Sequence, residues 1–90
     1  MLEYNYPNPF NSTTFIYYHL PADSEIEVVD FNALGKRVRT LVKGFQIAGT
    51  YSTVWQAKNE RGQDVSSGLC YYRLYANNEI KQSQKMVLLR

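Results

Sequence analysis

The stretch EIEVVDFNALGKRVRTLV, residues 25–42, decides the fold class of this chain. It holds two short runs in which apolar and polar residues alternate, separated by the polar segment NALGKR. Gly35 in that segment can adopt the positive φ that tight turns require. Two alternating runs joined by so short a turn predict a β-hairpin. Val38 and Leu41 break strict alternation in the second run, which predicts a bulge in that strand.

Asp30 is the unusual residue of this hairpin. Period-two alternation places it on the same face as Ile26 and Val28, and that face is predicted to point inward. A buried carboxylate is costly unless it is paired. We therefore predict a cationic or hydroxyl partner within hydrogen-bond reach of Asp30.

The same pattern continues on both sides of the hairpin. Further strand-like runs read TTFIYYHL, TYSTVWQ, LCYYRLYA and IKQSQKMVLLR, with a polar hairpin loop at residues 57–68. Six or so short strands at intervals of about 10–12 residues predict an all-β sandwich or barrel, and no window has a helical period. The residues predicted to point inward are Ile16, Tyr18, Leu20, Ile26, Val28, Val38, Trp55, Tyr72, Leu74 and Met86.

Composition limits the function classes. Ninety residues make one small domain with a thin core, which the 8 Tyr, 4 Phe and 1 Trp can fill with some aromatics left on the surface. A formal net charge of +2 is too weak to argue for nucleic acid. The longest apolar runs are only a few residues, so we expect no membrane span. The single Cys70 excludes an intrachain disulfide.

Few residues offer chemistry. His19 is the one histidine, and nothing near it in sequence would make it a general base. Cys70 lies among apolar neighbours and is predicted to be a buried, inert thiol. Oxygen ligands in the segment KNERGQD, residues 58–64, do not have the spacing of a calcium loop. We therefore expect no catalytic activity, no metal and no cofactor.

An outward aromatic row is the one surface feature with a binding interpretation. Phe15, Tyr17 and His19 share the face of their strand opposite the predicted core. Exposed rings in a row would stack on sugar rings or cover a neighbouring domain. The alternative, which we favour, is ordinary cross-strand packing within one sheet.

The opening segment NYPNPF, residues 5–10, is predicted to enter the fold as a stiff extended arm, because Pro7 and Pro9 fix their own φ and restrict the residues before them. Residues 1–5 are interpreted as the remainder of a linker, and residues 1–90 as a single domain. No basic and apolar leader opens the chain, so an exported protein would contain this chain as a piece of its precursor.

Four blocks in this order carry a family resemblance: YPNPFNSTTFIYYHLP, DFNALGKRVRTLV, AGTYSTVWQAKNERGQDVSSG and YYRLYA followed by KMVLLR. Together they resemble the C-terminal sorting domain of proteins exported by the type IX (Por) secretion system of Bacteroidetes and relatives. The middle and later blocks are also similar to the Ig-like domain of the flagellar hook-capping protein. The resemblance runs from about Tyr6 to Arg90.

The resemblance implies an Ig-like antiparallel β-sandwich of about seven short strands. It implies a C-terminal address that an outer-membrane translocon reads, with the cargo upstream in the same precursor, passage through the periplasm, and a final place on the cell surface or outside the cell. The residues that match the family motif, called the motif residues below, are Pro7, Asn8, Pro9, Asn32, Leu34, Gly35, Gly49, Gly68, Lys85, Met86, Leu88 and Arg90.

Three departures from the family pattern concern local packing. Ser12 stands where the family usually has proline, Asp30 where it has an aliphatic residue, and Cys70 where it has tyrosine. A plain Ig-like spacer or assembly domain remains the alternative function, and a carbohydrate-binding module is a more distant one. The unbroken apolar run at residues 86–89 predicts a final strand that is covered on both faces or is offered to a partner at a sheet edge.

Overall fold

The computed structural model describes residue 2 and residues 4–89 of the chain. These residues form six strands: β1 (Thr14–Leu20), β2 (Ser24–Asn32), β3 (Arg37–Gln46), β4 (Gly49–Trp55), β5 (Gly68–Ala76) and β6 (Glu79–Leu88). All the pairings between these strands are antiparallel. Nowhere in the described residues is there a helix with the length and hydropathy to cross a bilayer.

The strands form two sheets, one of four strands in the order β3-β2-β5-β6 and one of the two strands β1 and β4. Buried apolar side chains from both sheets make a single cluster, so the predicted all-β sandwich is confirmed. The described residues contain six strands rather than about seven. The segment before β1 adds only isolated bridges, because Pro7 and Pro9 lack the N–H groups that a continuous ladder needs.

The register between β2 and β3 slips twice, and each slip leaves one residue of β3 without a partner. The two residues left out are Val38 and Leu41, the same two that break alternation in the sequence. Both pack against the buried cluster. The predicted bulge is therefore confirmed and is double, because turning both apolar side chains inward requires two extra residues in the strand.

The core contains the side chains that alternation predicts. Nine of the ten residues predicted to point inward are buried, and the tenth, Val38, is half-buried against them. Trp55 and Tyr72 are among the largest fully buried side chains. Two aromatic residues thus supply much of the volume of a thin core.

The opening arm runs along both sheets instead of forming one extended segment. Tyr6 forms a bridge with Phe15 of β1, and Phe10 forms a bridge with Leu88 of β6. Residues 7–9 between these bridges are bent, so the prediction of a stiff extended arm is wrong. A straight segment cannot reach both sheets, and the bend is what carries the chain from one to the other.

Two residues that we assigned to a linker belong to the fold. Leu2 is 4% exposed, lies in the core cluster and forms a bridge with Tyr18. The side-chain amide of Asn5 donates to the hydroxyl of Thr14 at 2.8 Å. The domain therefore packs residues that precede the first proline.

Candidate functional site

One end of the sandwich brings together motif residues from separate blocks of the sequence. β2 ends at Asn32 and β3 begins at Arg37 at this end, and Gly68 at the start of β5 pairs with Leu88 of β6. One groove at this end is lined by Asn32 and Leu34 from one block of the sequence and by Gly68 from another. The antiparallel order of the strands brings these blocks together.

The turn between β2 and β3, residues 32–36, is held by its asparagine. The side-chain oxygen of Asn32 accepts hydrogen bonds from the backbone N–H groups of Leu34 and Lys36, both at 3.0 Å. The N–H of Gly35 donates to the carbonyl of Asn32, and Gly35 has a φ of 82°. The motif residues Asn32 and Gly35 therefore have structural roles. Leu34 has no such role, since it is 92% exposed at the tip.

A second turn of the same construction faces the first. In residues 59–63, the side-chain oxygen of Asn59 accepts from the N–H groups of Arg61 and Gln63, at 2.9 and 3.0 Å. The N–H of Gly62 donates to the carbonyl of Asn59, and Gly62 has a φ of 76°. From the sequence we interpreted this segment as a solvated hairpin loop and missed its similarity to the first turn. The signal was present, since NALGK and NERGQ share the pattern N-x-x-G-x.

The space between the two turns is a groove of about 800 Å³, which we call the end groove. Its lining includes the apolar side chains of Val38, Trp55, Val65 and Leu69. Leu34 from the first turn and Arg61 from the second stand on its rim. The end groove thus combines an apolar lining with two rigid tips of different character.

The rim of the end groove has unbalanced charge. Glu60 accepts from the N–H of Thr40 at 2.7 Å, and Asp64 is paired with Lys58. Among the described residues, neither Lys36 nor Arg61 has a carboxylate within ion-pair distance. The lining holds three cations, Lys36, Arg37 and Arg61, against the two carboxylates of Glu60 and Asp64, so the groove carries a small net positive charge.

Residues from outside the four-stranded sheet cover part of each of its two outer edges. On β3, Glu60 donates its backbone N–H to the carbonyl of Val38, while its carboxylate takes the N–H of Thr40. On β6, the amide of Asn8 accepts from the N–H of Val87 at 3.0 Å and donates to the carbonyl of Lys85 at 3.4 Å. Each side chain satisfies backbone groups that an unpaired edge would offer to another chain.

Asn8 therefore links the first and last motif blocks. We expect Asn8→Ala to lower the free energy of unfolding by about 1 kcal/mol, because two hydrogen bonds to the β6 edge are lost. Asn8→Asp is the matched control, since it keeps an acceptor for Val87 and loses only the donor to Lys85. Chemical denaturation measures the free energy of unfolding of the parent and of the two variants, and Asn8→Asp is expected to lie between the other two. An alanine variant as stable as the parent would show that water replaces both bonds without cost.

The remaining motif residues divide by exposure. Met86 and Leu88 are fully buried, so their place in the motif is explained by packing. Lys85 is exposed, Gly49 lies at the opposite end of the sandwich beside Leu20, and Arg90 lies outside the described residues. The final strand is covered on its inner face, and Phe10 and Asn8 bond its edge. The alternative that this edge is offered to a partner is therefore wrong at Val87.

The two glycine turns are expected to respond alike to substitution. Gly35→Ala and Gly62→Ala each place a Cβ in a left-handed conformation, which costs about 1–2 kcal/mol. A Cβ at Gly35 would lie 3.5 Å from the hydroxyl of Tyr71, and a Cβ at Gly62 would meet nothing within 4 Å, so strain rather than collision sets both losses. Thermal unfolding measures them. Gly35→Asn is the control, because asparagine tolerates this conformation. If Gly35→Asn and Gly35→Ala lowered the stability equally, backbone strain would not be the cause.

Asp30 is fully buried, and neither of its carboxyl oxygens has a hydrogen-bond partner among the described residues. The prediction that a cationic or hydroxyl group lies within hydrogen-bond reach of Asp30 is therefore wrong. Arg39 lies opposite Asp30 in the strand register, but its guanidinium donates to the backbone carbonyl of Asn59 at 2.8 Å. Burial raises the pKa of the Asp30 carboxyl well above its ordinary value, and the charge of Arg39 lowers it by less. Burial therefore favours the neutral form of this carboxyl in the folded chain.

Cys70 and His19 lie where the sequence placed them. Cys70 is 5% exposed, and burial raises the pKa of its thiol to about 12, so the thiolate is suppressed. The ring of His19 contacts the hydroxyl of Thr50 at 3.1 Å on the outer face of the small sheet. Phe15 and Tyr17 share that face and are 45% and 40% exposed. The described residues contain no group of three or more His, Cys, Asp or Glu side chains that would hold a metal ion.

Two antiparallel sheets packed around one core make this chain an Ig-like β-sandwich domain. Its fold is similar to part of PorU from Porphyromonas gingivalis, with a TM-score of 0.78 and 18% identity over 98% of this chain and 9% of that one. It is also similar to PorZ, a surface component of the type IX secretion system of P. gingivalis, with a TM-score of 0.64 and 18% identity over 97% of this chain and 11% of PorZ.

A third similar structure is FLGD from P. aeruginosa, with a TM-score of 0.67 and 22% identity over 83% of this chain and 60% of FLGD. This chain thus spans about a tenth of PorU and PorZ. No protein-family model matches it. No curated protein matches it in sequence. The comparisons therefore show the fold alone, a β-sandwich that also occurs in PorU, PorZ and FLGD.

Proposed function

We propose that this chain is a non-catalytic sorting and anchoring domain of a larger exported protein, read by the outer-membrane machinery of a type IX secretion system. The observation that carries the proposal is the meeting of motif residues from separate blocks at one end of the sandwich. Asn32, Leu34 and Gly68 line the end groove, and Gly68 pairs with Leu88 of the final strand. The sequence resemblance and the fold similarity to PorU and PorZ support the same proposal.

The side chains of two motif residues are exposed and are not explained by packing within the domain. Leu34 is 92% exposed, and Lys85 is exposed on β6. An exposed leucine on a rigid turn gains nothing from burial within the domain, but it contributes when a partner covers it. These two residues are therefore assigned to recognition, whereas Met86 and Leu88 support the strand from the core.

The proposal implies partners and a route. The partners are proteins of the secretion machinery, together with a cargo domain upstream in the same precursor. The chain passes through the periplasm and ends at the outer-membrane surface or outside the cell. The proposed role needs no cofactor.

A fusion experiment tests the proposal. A reporter is placed behind a Sec signal and ahead of residues 1–90, in a host that has type IX secretion. Reporter location is compared for the intact domain, for the variants Lys85→Glu and Arg90→Glu, and for a deletion of residues 85–90. Thermal melts of the isolated domains separate recognition from folding, since the deletion removes Met86 and Leu88 from the core.

Recognition predicts secretion of the intact fusion and periplasmic retention of a charge-reversed variant that melts like the parent. Retention of the intact fusion, or equal secretion of every folded variant, would contradict the proposal. The second candidate is an Ig-like spacer or assembly domain, which the fold similarity to FLGD favours. A spacer would leave the reporter in the periplasm whether or not the domain is attached.

A further inference from the structure

We propose that the end groove binds an acidic, apolar segment of a partner protein, with Leu34 as the apolar anchor and Lys36 and Arg61 as the charges that select carboxylates. This inference rests on the proposed function and deepens it, since it states which surface of the domain the machinery reads. It assigns the binding of the partner segment to the two turns, residues 32–36 and residues 59–63. The second turn contains none of the motif residues.

The apolar part of the argument comes from exposure. Leu34 and Leu69 are 92% and 47% exposed, and both line the end groove. Val38 and Val65 in the same lining are only partly buried. Apolar side chains that converge on one concave surface mark a site that a partner covers.

The rigidity of the two tips strengthens this argument. Each turn is closed by hydrogen bonds to its asparagine, four at Asn32 and five at Asn59. Trp55 at the base of the loop donates its indole N–H to the carbonyl of Lys58 at 2.9 Å, which ties the second turn to the core. Tips held in this way lose little conformational entropy on binding.

Charge selects the occupant. Lys36 and Arg61 are exposed and stand on opposite turns, with no carboxylate in ion-pair distance among the residues described. Of the two carboxylates in the lining, Asp64 is paired with Lys58 and Glu60 keeps its charge, so the three lining cations, Lys36, Arg37 and Arg61, outnumber them. A segment with carboxylates beside an apolar side chain complements this arrangement, and a basic segment is repelled by it.

The first test uses the secretion fusion with two matched double variants. Lys36→Glu with Arg61→Glu reverses the groove cations, and Lys43→Glu with Lys81→Glu makes the same change in net charge at exposed residues outside the groove lining. All four side chains are exposed, and the control loses only the exposed ion pair between Lys81 and Glu79, which contributes little, so the melts of both variants are expected to stay close to that of the parent. We expect secretion to fall by about tenfold or more for the groove variant alone.

The outcomes separate the two proposals. Failure of the intact fusion to leave the periplasm overturns the proposed function. Secretion of the intact fusion with an equal yield from both double variants overturns the groove assignment and leaves the proposed function standing. Retention of both double variants also overturns the groove assignment, because net charge would then be the cause.

The second test is independent of secretion. The isolated domain is panned against a phage-displayed library of random peptides, and enriched clones are retested on Leu34→Asp and on the groove double variant. We expect enriched peptides to combine Asp or Glu with Leu, Ile or Phe, and to lose about tenfold or more in affinity for both variants. Enrichment of basic peptides, or peptides that bind the variants as well as the parent, would overturn the inference.

Discussion

Replacing Asp30 with valine is expected to raise the free energy of unfolding at pH 7 by about 2–4 kcal/mol. The carboxyl is fully buried, and neither oxygen has a partner among the described residues. Valine is close to aspartate in size, favours strands and leaves no polar atom unsatisfied. Since each kcal/mol corresponds to roughly 4–8 °C for a domain of this size, thermal melts will resolve the gain.

The gain in stability of Asp30→Val depends on pH, and the direction of the pKa shift determines whether it rises or falls with pH. Burial raises the pKa of Asp30 in the folded chain, so over a range of pH the folded state keeps a proton that the unfolded chain has released. The part of the cost that depends on ionisation is therefore absent below the ordinary carboxyl pKa of about 4 and grows as pH rises through the folded pKa, whereas the cost of burying an unpaired polar group remains at every pH. The advantage of Asp30→Val is expected to be smallest near pH 3 and largest near neutrality.

Asp30→Asn separates charge from polarity. Asparagine keeps a polar group at the same place but does not titrate, so its stability relative to valine is expected not to change with pH. Glu25→Gln, at an exposed carboxylate with no ion pair among the described residues, controls for a general charge effect. A valine variant that is less stable than the parent at pH 7 would show that Asp30 forms a net favourable interaction in the folded chain.

Phe10→Ala is expected to destabilise the domain by about 3–5 kcal/mol. The side chain is 2% exposed, and its ring centroid lies 5.8 Å from that of Trp55. The backbone of Phe10 also bonds to Val87 and Leu89, so the ring anchors the arm on the edge of β6. A loss of this size is a large share of the roughly 5–15 kcal/mol that holds a small domain together.

Tyr6→Ala is the matched control for this prediction. Tyr6 is an aromatic residue of the same arm and also bonds through its backbone, but its side chain is 72% exposed. Its loss is expected to stay within about 0.5 kcal/mol. Denaturant titration followed by Trp55 fluorescence measures both variants. Equal losses would mean that the arm contributes through its backbone alone and that burial of the Phe10 ring adds nothing.

The sequence predicted the elements that depend on short-range patterns. Period-two alternation located the six strands and nine buried core positions, because a strand must turn successive side chains to opposite faces. The breaks in alternation at Val38 and Leu41 located both bulges. Asn32 and Gly35 identified the turn of the hairpin, since their local hydrogen bonding and positive φ need no tertiary partner.

The site was only partly predictable. Leu34 and Gly68 were selected by resemblance, but their place on one groove follows from strand order, which alternation does not determine. The turn at residues 59–63 repeats the pattern of the first turn, and its polar composition concealed that repeat. Neither Lys36 nor Arg61 stands out in a sequence where a fifth of the residues are charged.

Local chemistry thus determined the strands, the bulges, the first turn and the inward face of the core, because each depends on neighbours a few residues away. Tertiary structure alone decided three things: the bend of the arm across both sheets, the meeting of distant blocks at the end groove, and the isolation of Asp30. The last is the clearest case, since the guanidinium opposite Asp30 donates instead to the Asn59 carbonyl. Where several acceptors compete for one donor, only their positions in space decide which of them is satisfied.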